Sequence, residues 1–300
     1  MRQHNFIAAP HTPFKENGEV NITEITALYS FLKKNGVKGA FINGSTSEGY
    51  QLTTAERKNT AEAWNSVVDP EFQLFVFVGH LSTKEACELA AHAATLQHVK
   101  AISATGPFYQ RPTSLSTLVS ICQEIANAAP NKDFYYYHIP VLTSISFSMT
   151  DFLNEGALQI PNFKGVKYTH TDMQDYISAT ASKYNVMAGV DEIALVSMQL
   201  GATWFIGSTY NFMLPLYLQM GDCLNRNDLK GALKLQRKSI QIIEVLAKRG
   251  YMASAKFVME QLGINVGSPR LPFVGLNEEQ KESLLRELKK VGFFTFANKG

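Results

Sequence analysis

Apolar residues recur along the chain in eight short runs rich in β-branched and aromatic side chains. They are FIAAPHTPF (6–14), GAFINGS (39–45), QLFVFVG (73–79), AISATGP (101–107), DFYYYHIP (133–140), FKGVKYT (163–169), YNVMAGV (184–190) and TWFIGST (203–209). Segments with helical periodicity fill the gaps. TAERKNTAEAWNSVV follows the second run, with Thr53 and Glu56 spaced as a capping box, and TKEACELAAHAATL follows the third. SLSTLVSICQEIANAA follows the fourth, and DEIALVSMQLG follows the seventh and closes on Gly201, a helix-stop signal.

Strands alternating with helices imply parallel pairing through right-handed crossovers, and eight such units predict a closed (β/α)8 TIM barrel. A doubly wound open sheet usually carries fewer strands, and no GxGxxG follows the first run, which disfavours a Rossmann domain. Beyond Asn211 the strand signal stops. NFMLPLYLQMGDCLNR reads as the eighth barrel helix, while DLKGALKLQRKSIQIIEVLAKRG and NEEQKESLLRELKKVG read as further helices packed on the barrel. The expected organisation is a catalytic barrel over residues 1–225 and a C-terminal helical extension over 226–300, with NVGSPRLPF (265–273) as Gly/Pro punctuation between extension helices.

Composition narrows the function classes. With 45% hydrophobic and 18% charged residues, the 300-residue chain can bury a large core. A formal charge of +2 and no Lys/Arg run longer than two leave no electrostatic footprint for nucleic acid. No apolar run approaches the roughly eighteen residues of a membrane span, and MRQHNFIAAPHTPF lacks a signal-peptide core. Cys87, Cys122 and Cys223 are odd in number and far apart, which fits reduced thiols in a cytoplasmic protein. The seven histidines form no HExxH and no Cys/His cluster, so no metal is expected, and P-loop and GxSxG motifs are absent.

In such a barrel the chemistry lies at the C-terminal ends of the strands. Side chains alternate faces, so Phe163, Gly165, Lys167 and Thr169 share one face of the sixth run. Lys164 opens that run with an easy route to solvent. Lys167 stands near its end, where burying an ammonium without partners is costly. Tyr135 and Tyr137 share a face of the fifth run, with Tyr136 directed under the helices; Tyr137 immediately precedes His138-Ile139-Pro140. In FINGSTSEG, Asn43 and Ser45 are expected to point inward, and Ser45-Thr46-Ser47 open a turn. That turn reads either as a cap for the next helix or as a nest of hydroxyls and N–H groups for an anion such as a carboxylate. GVDE (189–192) reads equally as a helix start favoured by its dipole, and Ser208 as an ordinary N-cap.

The ordered set GSTSEG, YYYHIP, GVKYT, GVDE and GSTYN at these strand ends resembles the N-acetylneuraminate lyases (sialic acid aldolases) of the dihydrodipicolinate synthase superfamily. The resemblance runs from the first strand to the PRLP segment. It implies a class I aldolase that cleaves N-acetylneuraminate reversibly to pyruvate and N-acetylmannosamine, without metal or organic cofactor, as a homotetramer. An amine attacks a ketone only when neutral, and desolvation favours the neutral form, which gives a buried lysine a purpose. By resemblance Lys167 forms the Schiff base and Tyr137 relays protons. Ser45 and Thr46 hold the substrate carboxylate. Ser45 also links Tyr137 to Tyr109, which in this family enters from a neighbouring subunit. Residues matching Thr169, Gly189, Asp191, Glu192 and Ser208 hold the polyhydroxylated tail.

The same resemblance marks three positions of interest. Leu142 stands where dihydrodipicolinate synthases carry an arginine for a second carboxylate, which argues against a diacid substrate. Ser47 replaces the glycine of the family's GSTGE, and a requirement for positive φ there would strain it. His138 stands where bacterial relatives often have asparagine. The competing functions are a lyase for another 2-oxo-3-deoxy sugar acid and a catalytically silent 2-oxo acid sensor. Retention of Lys167 and Tyr137 weighs against the sensor.

Overall fold

The computed structural model describes residues 3–300. Among them, eight parallel strands close a barrel in sequential order: β1 (Asn5–Ala8), β2 (Gly39–Ile42), β3 (Gln73–Phe77), β4 (Val99–Ala104), β5 (Asp133–His138), β6 (Phe163–Tyr168), β7 (Asn185–Ala188) and β8 (Trp204–Gly207). β8 pairs with β1 through Phe6–Phe205 and Ile7–Ile206, which closes the ring. The outer helices are α1 (Ile25–Lys34), α2 (Thr54–Val67), α3 (Thr83–Thr95), α4 (Leu115–Asn127), a short α5 (Pro140–Thr143), α6 (Met149–Gln159), α7 (Met173–Thr180), α8 (Ala194–Gln199) and α9 (Leu214–Asn225). Three more helices follow: α10 (Leu229–Ala247), α11 (Tyr251–Gln261) and α12 (Glu278–Lys290). The TIM barrel predicted from the eight runs is therefore observed, with C-terminal helices after it.

Local signals account for the ends of these elements. Thr53 caps α2 in the expected capping box with Glu56, and Asp172 caps α7 by accepting from the N–H groups of Gln174 and Asp175. After α8, Gly201 adopts φ +96 and its N–H returns to the Met198 carbonyl. The first run is shorter as a strand than its apolar pattern, ending at Ala8. Pro10 and Pro13 have no N–H to give a ladder, so the chain turns over the barrel top instead. The sequence pattern did not single out α11, whose buried Ala253, Ala255, Phe257, Val258 and Met259 lie close to the barrel.

Two apolar layers result. Ile7, Phe41, Phe75, Phe77, Tyr135, Tyr137, Met187 and Ile206 fill the barrel interior. A larger cluster between strands and helices takes the alternate residues, including Tyr136, whose ring centroid lies 4.5 Å from that of Phe152. Period-two alternation along β5 thus sends Tyr135 and Tyr137 inward and Tyr136 outward, as expected. The alternation stops at the end of β2. Asn43 has φ 60, and its side-chain amide donates to the Arg57 carbonyl at 3.0 Å. The inward placement expected for Asn43 is corrected: a left-handed residue breaks the strand, and the side chain turns to α2.

Candidate active site

Lys167 pairs in register with Tyr137 on β5 and Met187 on β7, near the C-terminal end of the barrel. It is 4% exposed, with Nζ 3.9 Å from the Tyr137 ring centroid and 4.2 Å from that of Phe41. Among the described residues its amine has no hydrogen bond and no carboxylate in contact; the Asp191 charge acts on it only from farther away. Aromatic faces hold a cation or a polarised amine without supplying an anion. Tyr137 is itself clamped edge-on by Phe41 and Phe77, at 5.5 and 5.9 Å between centroids. Lys164, at the other end of β6, is exposed beside Asp133 at 3.7 Å, as expected of a solvated lysine.

The turn after β2 carries Ser45 and Thr46, both half-buried. It does not cap α2; Thr53 does. Among the described residues the Ser45 hydroxyl makes no hydrogen bond, so the link from Ser45 to Tyr137 is not formed in the single chain. The turn is instead anchored from beneath. Ser47 Oγ donates to the Pro10 carbonyl and Thr12 Oγ1 donates to the Ser47 carbonyl, each at 2.6 Å. Ser47 lies outside the positive-φ region; that conformation falls on its neighbours Asn43 (φ 60) and Glu48 (φ 57). The positive φ that would have strained a serine at this position is therefore not required of Ser47. The fully buried His11 imidazole lies against the Thr46 backbone, and burial, followed by the charge of Lys256, lowers its pKa to about 3.

Across the barrel mouth, close backbone approaches bring the remaining residues together. A Cβ on Gly189 would sit 2.1 Å from Thr169 Oγ1, and one on Gly207 would sit 1.8 Å from Asp191 Oδ1. Only glycine permits either approach. Asp191 is buried, and its Oδ2 accepts from the N–H and hydroxyl of Thr209 at 3.0 and 2.7 Å. Burial raises its pKa, while the Thr209 hydrogen bonds and nearby Lys167 oppose the rise. The carboxylate thus crosses to β8 rather than capping its own helical turn. Glu192 is exposed at the rim, yet enough protein surrounds its carboxyl for desolvation, and then the Asp191 charge, to raise its pKa.

Ser208 stands at the N-cap position of the short helical turn Thr209–Asn211, but its hydroxyl caps no N–H and instead shares a 2.7 Å hydrogen bond with Tyr251 of α11. From α10, Gln236 accepts from the Leu195 N–H at 2.8 Å and donates to the Asp191 carbonyl at 3.2 Å. Sequence reasoning missed both partners. The inwardly buried Arg57 was missed as well: its guanidinium donates to the Phe77 and Gly79 carbonyls at 2.6 and 2.9 Å. Desolvation lowers the Arg57 pKa to about 10. Tyr109, in contrast, lies outside this constellation, 85% exposed after β4. Leu142 is also exposed, on α5. Among the described residues no group of three or more His, Cys, Asp or Glu could hold a metal ion.

Comparison with known proteins supplies context for this arrangement. Residues 2–291 match the dihydrodipicolinate synthetase family. The N-acetylneuraminate lyase of Homo sapiens is 35% identical over 300 residues, covering 97% of this chain and 93% of that protein. The solved structure of Proteus mirabilis N-acetylneuraminate lyase superposes with a TM-score of 0.93 at 37% identity, covering 98% of this chain and all of the other. A catalytic lysine mutant of Ruminococcus gnavus sialic acid aldolase superposes with a TM-score of 0.90 at 27% identity, covering 99% of this chain and 100% of that one.

Proposed function

The chain belongs to the dihydrodipicolinate synthetase family, and on that premise we propose that it is a Schiff-base aldolase that cleaves N-acetylneuraminate reversibly to pyruvate and N-acetylmannosamine. The observation that carries the reading is Lys167, buried at a strand end between two aromatic rings with no anion of its own. Its amine attacks the C2 ketone and water leaves, giving an iminium. Tyr137 gives its phenolic proton to the departing water in that step, so its phenolate then takes the proton of the C4 hydroxyl, and the C3–C4 bond breaks with its electron pair moving into the iminium. N-acetylmannosamine departs, the enamine is reprotonated at C3, and hydrolysis frees pyruvate and Lys167.

Substrate placement follows from the same mouth. Ser45 and Thr46 present hydroxyls and turn N–H groups to the carboxylate. On this reading Thr169, Gly189, Asp191, Glu192 and Ser208 take the hydroxylated tail, since carboxylates suit vicinal hydroxyls as hydrogen-bond acceptors. The exposure of Tyr109 supports its completing a neighbour's site within a homotetramer. No described helix is long and apolar enough to cross a membrane, and the three cysteines are free, which supports a reducing cytoplasmic setting. The test is direct: incubate the protein with N-acetylneuraminate and couple released pyruvate to a dehydrogenase. Pyruvate formed in step with N-acetylmannosamine supports the reading; none formed by folded protein overturns it.

A further inference from the structure

Three stretches far apart in sequence meet beneath the turn that carries Ser45 and Thr46. Glu48 on that turn is 1% exposed and sits at φ 57, a conformation that a side-chain-bearing residue keeps only when its surroundings hold it there. Its Oε1 lies 2.8 Å from Nζ of Lys256 on α11, and its Oε2 accepts the Arg270 N–H at 2.8 Å. Lys256 is 2% exposed, donates to the Thr12 carbonyl at 3.0 Å and lies 4.1 Å from the Phe14 ring centroid. Thr12 in turn holds the Ser47 carbonyl. The Arg270 guanidinium takes the far end of the turn, donating to the Gln51 carbonyl at 3.0 Å and to Glu56 at 2.9 Å. Burial lowers the Lys256 pKa to about 8, and the Glu48 carboxylate opposes that fall.

A buried ion pair is a weak source of net stability, because desolvating both charges offsets most of their attraction. What this pair adds is location. It pins a strained residue between two donors on the extension, two positions after Thr46. We propose that Lys256 is a positioning residue for the substrate carboxylate: through Glu48, and aided by Arg270, it holds the Ser45–Thr46 turn in its binding shape. The proposal rests on the reading of Ser45 and Thr46 as carboxylate ligands. It makes the C-terminal helices part of substrate capture as well as of the outer packing.

The experiment is a pyruvate titration in which imine is trapped with borohydride, run beside thermal unfolding and saturated turnover of N-acetylneuraminate. Glu48→Gln/Lys256→Met removes both charges, so neither is stranded. The expected result is a folded protein with saturated turnover within about threefold of wild type. Its half-saturating pyruvate concentration rises roughly ten- to a hundredfold, as misplacement of a binding group requires. Wild-type half-saturation in the folded double variant overturns the positioning role. If that variant does not fold, Arg270→Gln decides, with a rise of about three- to tenfold expected and no rise contradicting the proposal. Ser45→Ala/Thr46→Val separates the two claims. If it leaves half-saturation unmoved, the carboxylate assignment fails, and the positioning role with it. If it moves half-saturation while the ion-pair variant does not, only the positioning role fails.

Discussion

Lys167 and Lys256 are both almost fully buried, at 4% and 2% exposure, and they are held in opposite ways. Lys256 meets a carboxylate at 2.8 Å and a backbone carbonyl at 3.0 Å. Lys167 meets two ring faces and, among the described residues, no anion. The paired lysine has its donors committed and serves as a fixed strut between α11 and the turn after β2. The unpaired one leaves its nitrogen available to an incoming carbonyl carbon. On the proposed mechanism, the two lysines are told apart by their partners and not by burial.

The largest effect should come from exchanging the two residues' fates. Lys167→Met is expected to abolish turnover while unfolding at or above the wild-type temperature, because it removes a buried amine that no anion contacts. Lys256→Met leaves Glu48 buried without its partner and should cost about 3–5 kcal/mol in denaturant unfolding. Loss of activity from Lys256→Met at wild-type stability, or of stability from Lys167→Met at wild-type activity, would break the distinction. Next in size is the ring that Lys167 rests on. Tyr137→Phe keeps that aromatic face but removes the hydroxyl, so imine should still form while kcat falls roughly 10²–10⁴-fold.

Smaller again are the acids at the opposite rim. Asp191→Asn and Glu192→Gln are each expected to lose about 1.5–3 kcal/mol of transition-state binding, or roughly ten- to a hundredfold in kcat/KM for the sugar acid. Pyruvate imine formation should be untouched in both. If both variants cleave N-acetylneuraminate as well as wild type, the tail is held elsewhere. The smallest effect lies with two buried histidines, His11 near Lys256 and His138 on β5. His11 and His138 have pKa values lowered to about 3 from 6.5, chiefly by burial. The unfolded chain binds their protons first, so stability is full above the unfolded value and is lost as pH falls from about 6.5 toward 3. Each should cost about 1.4 kcal/mol by roughly pH 5.5, and His11→Leu should flatten the curve measured by denaturant titration.

The barrel was legible because its signals are local. Each strand is a compact apolar run, and caps such as Thr53 and Asp172 lie within three residues of the N–H groups they satisfy. Lys167 was legible as a charge inside an apolar run, and the mouth residues through family resemblance. The rest depends on contacts that no short window contains. Tyr251 reaches Ser208 across 43 positions, Gln236 reaches Leu195 across 41, and Lys256 reaches Thr12 across 244. On an amphipathic helix a lysine or glutamine reads as part of the solvated face, so neither residue stood out. Asn43 was misplaced for a different reason. Alternation holds only while φ stays extended, and the sequence carried no glycine to mark the reversal at φ 60.

The central claim is that the lysine without an anion is the nucleophile. The measurement closest to it is peptide mapping of protein reduced with borohydride in the presence of pyruvate. The account predicts a pyruvate-derived mass on the peptide carrying Lys167 and none on that carrying Lys256, with inactivation in proportion to label. Label confined to Lys164 or Lys256, or active enzyme that acquires no label, would contradict it.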